Sequence, residues 1–208
     1  TKTTETRCEN IPSVLLNKEP LIKTLKVDGT SATYVLERKP FGKYEYYVCS
    51  RNVRQADEQQ RNYHSDYTGD NVYWAMEHKY HIFEFLKDYI KNNNLQYACL
   101  QGEIAGPSIQ GNPHKLATQQ FYVFNLIRSD TGRVNSVIGQ GICRNAGINW
   151  VPIIDTRYIL PDTMEELKLE ADGPCEIGSG LREGYVYRNY DNTLSFKNVS
   201  RKYLLKHS

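Results

Sequence analysis

The stretch LIKTLKVDGTSATYVLER, residues 21–38, holds two extended runs joined at Val27-Asp28-Gly29. Leu21 to Leu25 is an apolar-alternating approach, and Thr30 to Arg38 is rich in β-formers. A second β-rich run, Glu45 to Ser50, lies across Lys39-Pro-Phe-Gly-Lys43, whose turn chemistry makes the two runs an antiparallel hairpin. From Asn71 to about Asn92, Val72, Met76, Phe83, Leu86 and Ile90 recur at helical steps, which predicts an amphipathic helix. Leu95 to Gly102 and Phe121 to Arg128 read as strands, and Ser129 to Arg133 as a turn. A short helix is expected around Ile138 to Ala146 and an extended segment from Val151 to Leu160. Thr163 to Ala171 reads as a helix between Pro161 and Asp172-Gly173. Tyr185 to Arg188 and Leu194 to Val199 form a last pair of strands. The sum is an α+β domain of antiparallel β-sheets flanked by helices.

A length of 208 residues fits one domain spanning 1–208. The hydrophobic fraction of 39% and charged fraction of 24% are those of an ordinary soluble protein. No apolar run approaches the ~18–20 residues of a membrane helix, and no signal-peptide pattern is present. The first residue is Thr1, which reads as the start of a processed or excised piece. A net charge of +2 decides nothing about nucleic acid. The run from Lys197 to Lys206 says more, because Lys197, Arg201, Lys202 and Lys206 occur in it without an acid; most such runs are solvated basic tails. Five scattered cysteines with no CxxC pair argue against zinc and against a disulfide framework. They fit reduced thiols in an intracellular protein, cytoplasmic or nuclear and not secreted. His78 and His81 lack ligand-spaced partners and read as surface or packing residues. The absence of GxxxxGK[ST] excludes a P-loop.

Lys26-Val-Asp28-Gly29 is a short pattern that chance supplies often. Its weight comes from an ordered series of further motifs along the chain. Ser50-Arg51-Asn52 and Gly102-Glu103 are expected at strand ends. Then come Phe121-Tyr-Val-Phe124-Asn125, Glu183-Gly-Tyr-Val186 and Ser195-Phe-Lys197-Asn198. This series, covering nearly the whole chain, resembles the nucleotidyltransferase motifs of the covalent ligase and mRNA-capping superfamily. The spacing of Glu183 and Lys197 and the FYVFN and EGYV wording look most like the ATP-dependent RNA ligases. The resemblance implies a nucleotidyltransferase (ATP-grasp-like) domain, with the accessory OB-like domain absent from this chain. Lys2-Thr-Thr-Glu5-Thr-Arg7 is similar to a segment ahead of the catalytic lysine in the branch whose accessory domain is N-terminal.

Joining an amine to the α-phosphorus of ATP requires an unprotonated nucleophile. A lysine with the ordinary pKa of ~10.4 is unprotonated in only about one molecule in a few thousand at neutral pH. A nearby cation or divalent metal disfavours the ammonium form. The resemblance makes Lys26 the nucleophile and Lys197 its cationic neighbour and α-phosphate contact. Glu183 is the metal holder, for Mg²⁺ or Mn²⁺ with mostly water ligands. Arg51 approaches the ribose or the nucleic-acid phosphate, Glu103 holds ribose hydroxyls, and Phe124 stacks on adenine; Asp28 completes the nucleotide-binding set. Read singly, each residue has a plainer alternative. Lys26 can be a surface lysine before a turn, Glu183 a partner of Arg182 or Arg188, and Phe124 plain core, with Phe121 competing for its role. Two departures from the family pattern stand out: Leu25 occupies a position often held by Glu, and Ser195 one often held by a second lysine.

The expected function is RNA end joining. Lys26 takes AMP from ATP, AMP passes to an RNA 5′-phosphate, and a 3′-hydroxyl attacks to release AMP. The partners are RNA ends and no membrane, and the protein is a monomer or one domain of a longer chain. DNA ligase, capping guanylyltransferase and a non-catalytic RNA-binding module are the rival readings.

Overall fold

The computed structural model describes residues 5–55 and 71–207. Lys2, Thr3 and Thr4 of the N-terminal motif-like segment lie outside them. In chain order the strands are β1 (Thr6–Arg7), β2 (Leu21–Lys26), β3 (Thr30–Arg38), β4 (Tyr44–Cys49) and β5 (Tyr97–Ala105). They continue as β6 (Gln120–Arg128), β7 (Gly132–Arg133), β8 (Ile153–Tyr158), β9 (Gly184–Arg188) and β10 (Ser195–Val199). The helices are α1 (Val72–Tyr80), α2 (Ile82–Asn93), α3 (Ser136–Asn145), α4 (Met164–Glu170) and α5 (Arg201–His207). Two five-stranded sheets result, ordered β1-β10-β9-β2-β8 and β4-β3-β5-β6-β7. This is the expected α+β fold. Its pairs are antiparallel except β1 with β10, which run parallel.

Val27-Asp28-Gly29 is where the chain crosses from the first sheet to the second, since β2 and β3 belong to different sheets. The crossing is tight. A Cβ on Gly29 would lie 2.1 Å from the carbonyl oxygen of Ile104, so no other residue fits without moving β5.

The core is aromatic and aliphatic. Tyr187 stacks on Phe196 at 5.0 Å within the first sheet, and Tyr34 meets Phe121 edge-on at 5.2 Å within the second. Ile82, Leu86 and Ile90 form the buried face of α2, which packs on β3 and β5. α4 begins with a capping box between Thr163 and Glu166 and buries Leu167.

Four features differ from the sequence reading. The long helix is broken at His81, whose left-handed backbone (φ 50°) ends α1. Buried Glu77 spans the break by accepting from the Phe83 N–H at 3.3 Å, which satisfies a donor at the start of α2. Gly102-Glu103 lies inside β5 rather than at a strand end, because β5 continues to pair with β3 as far as Thr30↔Ile104. The tail from Arg201 is helical, and Tyr203 is buried among its exposed cations. The N-terminal residues Thr6 and Arg7 add an edge strand that hydrophobic periodicity over two residues could not reveal.

Candidate active site

Three neighbouring strands deliver the charged side chains. Lys26 ends β2 opposite Gly184 of β9, and Glu183 immediately precedes that glycine. Lys197 lies on β10 opposite Val186, two residues further along β9. Side chains two apart on a strand share a face, so this register turns Lys26 and Lys197 to one side. Gly184 sits at φ +153°, and a Cβ there would be 2.1 Å from the Asn198 carbonyl oxygen. That close approach between β9 and β10 explains the glycine after Glu183.

The ammonium of Lys26 donates to Oε1 of Glu183 at 2.5 Å. The other carboxylate oxygen, Oε2, is buried without a hydrogen-bond partner among the described residues. A cavity of about 190 Å³ opens beside the pair and is lined by Lys26, Arg51, Glu103, Phe124 and Lys197. Asp28 faces elsewhere. Its Oδ2 accepts from the Tyr203 hydroxyl at 2.5 Å, and its N–H donates to Nε2 of His114 at 2.9 Å. His114 is fully buried, with Cys175 Sγ 3.3 Å from its other ring nitrogen.

Burial biases these groups toward their neutral forms. It raises the carboxyl of Glu183, against the attraction of Lys26. It pushes Glu103 up to about 8, helped by the charges of Glu183 and Asp28 and opposed by Lys26 and Arg51. Lys197 is pulled below the ordinary lysine value, first by burial and then by the charges of Lys26, Arg7 and Arg51, with Glu183 opposing.

The donor set fits a hard divalent cation that keeps most of its water. Among the described residues no three His, Cys, Asp or Glu side chains converge as a cage, and the spare Oε2 of Glu183 offers one hard oxygen beside Lys26.

At the other end of the cavity, β6 bulges. Gln101 pairs with Asn125 and Gly102 with Val123, leaving Phe124 as the extra residue. Strand alternation puts Phe124 on the face opposite Phe121, at the cavity wall, and the bulge brings its neighbour Asn125 opposite Gln101, where it meets Gln101 and Arg188. The Arg188 guanidinium donates to the Phe124 carbonyl oxygen, to Asn125 Oδ1 and to Glu5 Oε1, each at 2.9 Å. It also donates to Ser195 Oγ at 3.2 Å. Arg188 and Glu5 are thus a buried pair that ties β9 to β6 and borders the same cavity as Phe124; burial raises the Glu5 carboxyl, but Arg188 holds it below the usual carboxylate range. Phe121 faces the core, fully buried against Tyr34, which leaves the cavity position to Phe124.

A model of the RNA ligase family matches residues 19–206. The chain belongs to the RNA ligase family. Its fold matches an RNA ligase of Naegleria gruberi solved with PPi, at TM-score 0.79 and 32% identity over 100% of this chain and 58% of that one. A variant of that ligase with ATP and Mn gives TM-score 0.80 and 31% identity, covering 100% and 57%. Another, with AMP and Mn, gives 0.80 and 31%, covering 100% and 58%. The chain therefore spans less than two thirds of the length of these ligases. Comparison with curated protein sequences gives no match.

For this RNA ligase family member, the structure gathers Lys26, Arg51, Glu103, Phe124 and Lys197 around one cavity, sets Glu183 against Lys26 and turns Asp28 toward α5. Glu183 pairs with Lys26 and with neither arginine beside it; Arg182 engages Glu176 and Arg188 engages Glu5. Arg188, Glu5, Asn125, Gln101, His114 and Tyr203 were not anticipated as parts of the site. Only Asn125 carried a signal, as the polar residue after Phe124 in an otherwise apolar strand. Gln101 acts through a contact 24 positions away, and Arg188, Glu5, His114 and Tyr203 through contacts across more than fifty positions of sequence, beyond any local pattern.

Proposed function

We propose that this chain is the adenylation domain of an ATP-dependent RNA ligase, a single nucleotidyltransferase domain over 1–208. The convergence of Lys26, held by Glu183, and Lys197 on a cavity walled by Phe124 is the observation that carries the reading. In the first step the amine of Lys26 forms a bond to the α-phosphorus of ATP, and the bond to pyrophosphate breaks. Glu183, 2.5 Å from Nζ and with its proton affinity raised by burial, stands where the lysine proton has to go. Lys197 lies along the α-phosphate as negative charge develops there. Phe124 offers its face to adenine. Glu103, largely protonated at pH 7, can donate to a ribose hydroxyl as well as accept from one. Mg²⁺ or Mn²⁺ held at Glu183 supplies charge neutralisation at the α-phosphate.

AMP then passes from Lys26 to an RNA 5′-phosphate, and a 3′-hydroxyl displaces it in the same pocket. Two further observations support this reading. The Naegleria gruberi ligase is recorded with ATP, AMP and PPi, the nucleotides and product of such a cycle. Variants of that ligase replace a lysine and an aspartate two positions apart, and a glutamate and a lysine fourteen positions apart. Lys26 with Asp28, and Glu183 with Lys197, repeat both spacings. We place the protein inside the cell as a monomer acting on RNA ends, its free cysteines fitting a reducing compartment. No helix among the described residues is long and apolar enough to cross a membrane.

The test is incubation with α-labelled ATP and a divalent metal, and then denaturing electrophoresis. Label on the wild type that vanishes in Lys26→Ala is expected. An unlabelled wild type sinks the reading, and label surviving Lys26→Ala moves the nucleophile elsewhere. A clear preference for labelled GTP would transfer the chain to the capping enzymes.

A further inference from the structure

Near the Val27-Asp28-Gly29 crossing that follows Lys26 lies an open pocket lined by Lys115, Lys202 and Lys206 together with Ser179 and Gly180. No carboxylate among the described residues lines it. Lys202 has Asp172 at hand, whose Oδ2 is 3.9 Å from its ammonium and whose Oδ1 is engaged by the Ser200 hydroxyl at 2.7 Å. Lys115 and Lys206 make no ion pair among the described residues, and all three lysines are exposed. Two features of the chain work against such a cluster forming without use. Lys202 and Lys206 stand four apart on α5, where like charges repel. Lys115 holds φ +54°, a conformation in which glycine or asparagine sits with less strain than lysine.

The pocket is mechanically joined to the nucleophile loop. Tyr203 of α5 and His114, the residue before Lys115, both hydrogen-bond Asp28, two positions after Lys26. Yet the pocket shares no lining residue with the cavity at Lys26. Three ammonium groups without an acid among the lining residues make a site for phosphate oxygens. A nucleotide whose α-phosphate meets Lys26 occupies the other cavity. A polynucleotide whose end enters that cavity carries further phosphates beyond its rim.

We propose that Lys115, Lys202 and Lys206 bind the phosphodiester backbone of the RNA strand that the domain acts on. The proposal rests on the ligase reading for the identity of the strand. Its test is the binding of a fluorescent 5′-phosphorylated single-stranded RNA over a range of salt. Wild type is compared with a triple variant, Lys115→Asn, Lys202→Ala and Lys206→Ala, asparagine being chosen because it tolerates positive φ. Each phosphate contact on a single strand contributes about 0.7 to the log–log salt slope, so the variant's slope falls by about two and its affinity by about tenfold or more at moderate salt. The rate and KM of Lys26 labelling by ATP stay at wild-type values.

Unchanged RNA affinity and slope would overturn the proposal. A raised KM for ATP, or lost inhibition by pyrophosphate, with RNA binding intact would also overturn it, by assigning the lysines to the nucleotide tail. Lys91→Ala, exposed on α2 outside the pocket, has to leave binding unchanged, and an equal loss there would count against a localised site. Lys202→Arg with Lys206→Arg keeps the charge and retains binding; loss in that variant would contradict a phosphate contact. A wild type that binds RNA through these lysines but takes no label from ATP fails the ligase reading and leaves the pocket standing.

Discussion

Lys23 and Lys26 stand three positions apart on β2, each paired with a glutamate, and the strand sends them to opposite faces. Lys23 meets Glu170 at 2.7 Å and lies over the rings of Tyr158 and Tyr185, 4.4 and 4.3 Å from their centroids. Tyr158 in turn donates to Glu170 at 2.6 Å. That ammonium is enclosed by a carboxylate and aromatic faces, all of which favour its charge. Lys26 has the shorter contact, 2.5 Å to Glu183, but opens on a cavity that also holds Lys197 and Arg51. Both lysines belong to ion pairs, yet only one pair can be exchanged for a ligand. A short salt bridge therefore says little about role; what else surrounds the ammonium decides.

The largest effect that would sharpen this contrast is at Lys26 itself. Lys26→Ala should abolish covalent labelling by ATP while leaving the thermal midpoint near the wild-type value, because the side chain it removes borders a solvent-reaching cavity. Next comes Lys197→Ala, for which the labelling rate should fall by about 100-fold or more, the loss expected of one electrostatic stabiliser at a developing oxyanion. Ser195 stands where a second lysine would give redundancy, so little residual rate is expected. Near-normal labelling by Lys197→Ala would break the assignment of that residue.

Lys23→Met should do the reverse. Removing one member of a largely buried pair destabilises by about 1–3 kcal/mol, given that Glu170 keeps some solvent, and urea denaturation would read it. Labelling at a temperature where the variant is folded should stay within a few-fold of wild type. If Lys23→Met lost labelling as Lys26→Ala does, the two faces of β2 would not be functionally separate.

The smallest effect is a pH dependence at Glu103. Its carboxyl titrates near 8 in the fold and in the ordinary carboxylate range when unfolded. Between those values the folded state binds the extra proton, so stability falls as pH rises through that window. Glu103→Gln has no such proton. The unfolding free energy of wild type, read by urea denaturation, should therefore decline relative to Glu103→Gln from pH 5 to pH 8, by no more than a few kcal/mol at about 1.4 kcal/mol per pH unit. Parallel curves would mean that Glu103 is ionised in the fold.

The sequence carried the strand and helix order almost complete, because alternation and helical spacing are local. It missed the break at His81, where apolar residues continue the helical stripe on both sides while the backbone turns left-handed. It missed α5, because a helix held by one buried tyrosine has no apolar face to read. At the site, Lys26, Glu183, Lys197 and Phe124 were legible as residue types in a recurring order. Their contacts were not.

By itself, then, the sequence determined which chemistry was available: a lysine before an Asp-Gly turn, a distant glutamate and lysine, and an aromatic residue on a strand. Only the tertiary structure decided who touches whom. It set Glu183 against Lys26 instead of against Arg182 or Arg188, placed Phe124 and not Phe121 on the cavity, and turned Asp28 toward Tyr203. The physical reason is that strand register and sheet crossing place residues by hydrogen-bond pairing over long separations. A shift of one residue in any of those pairings would reverse every side chain on the strand.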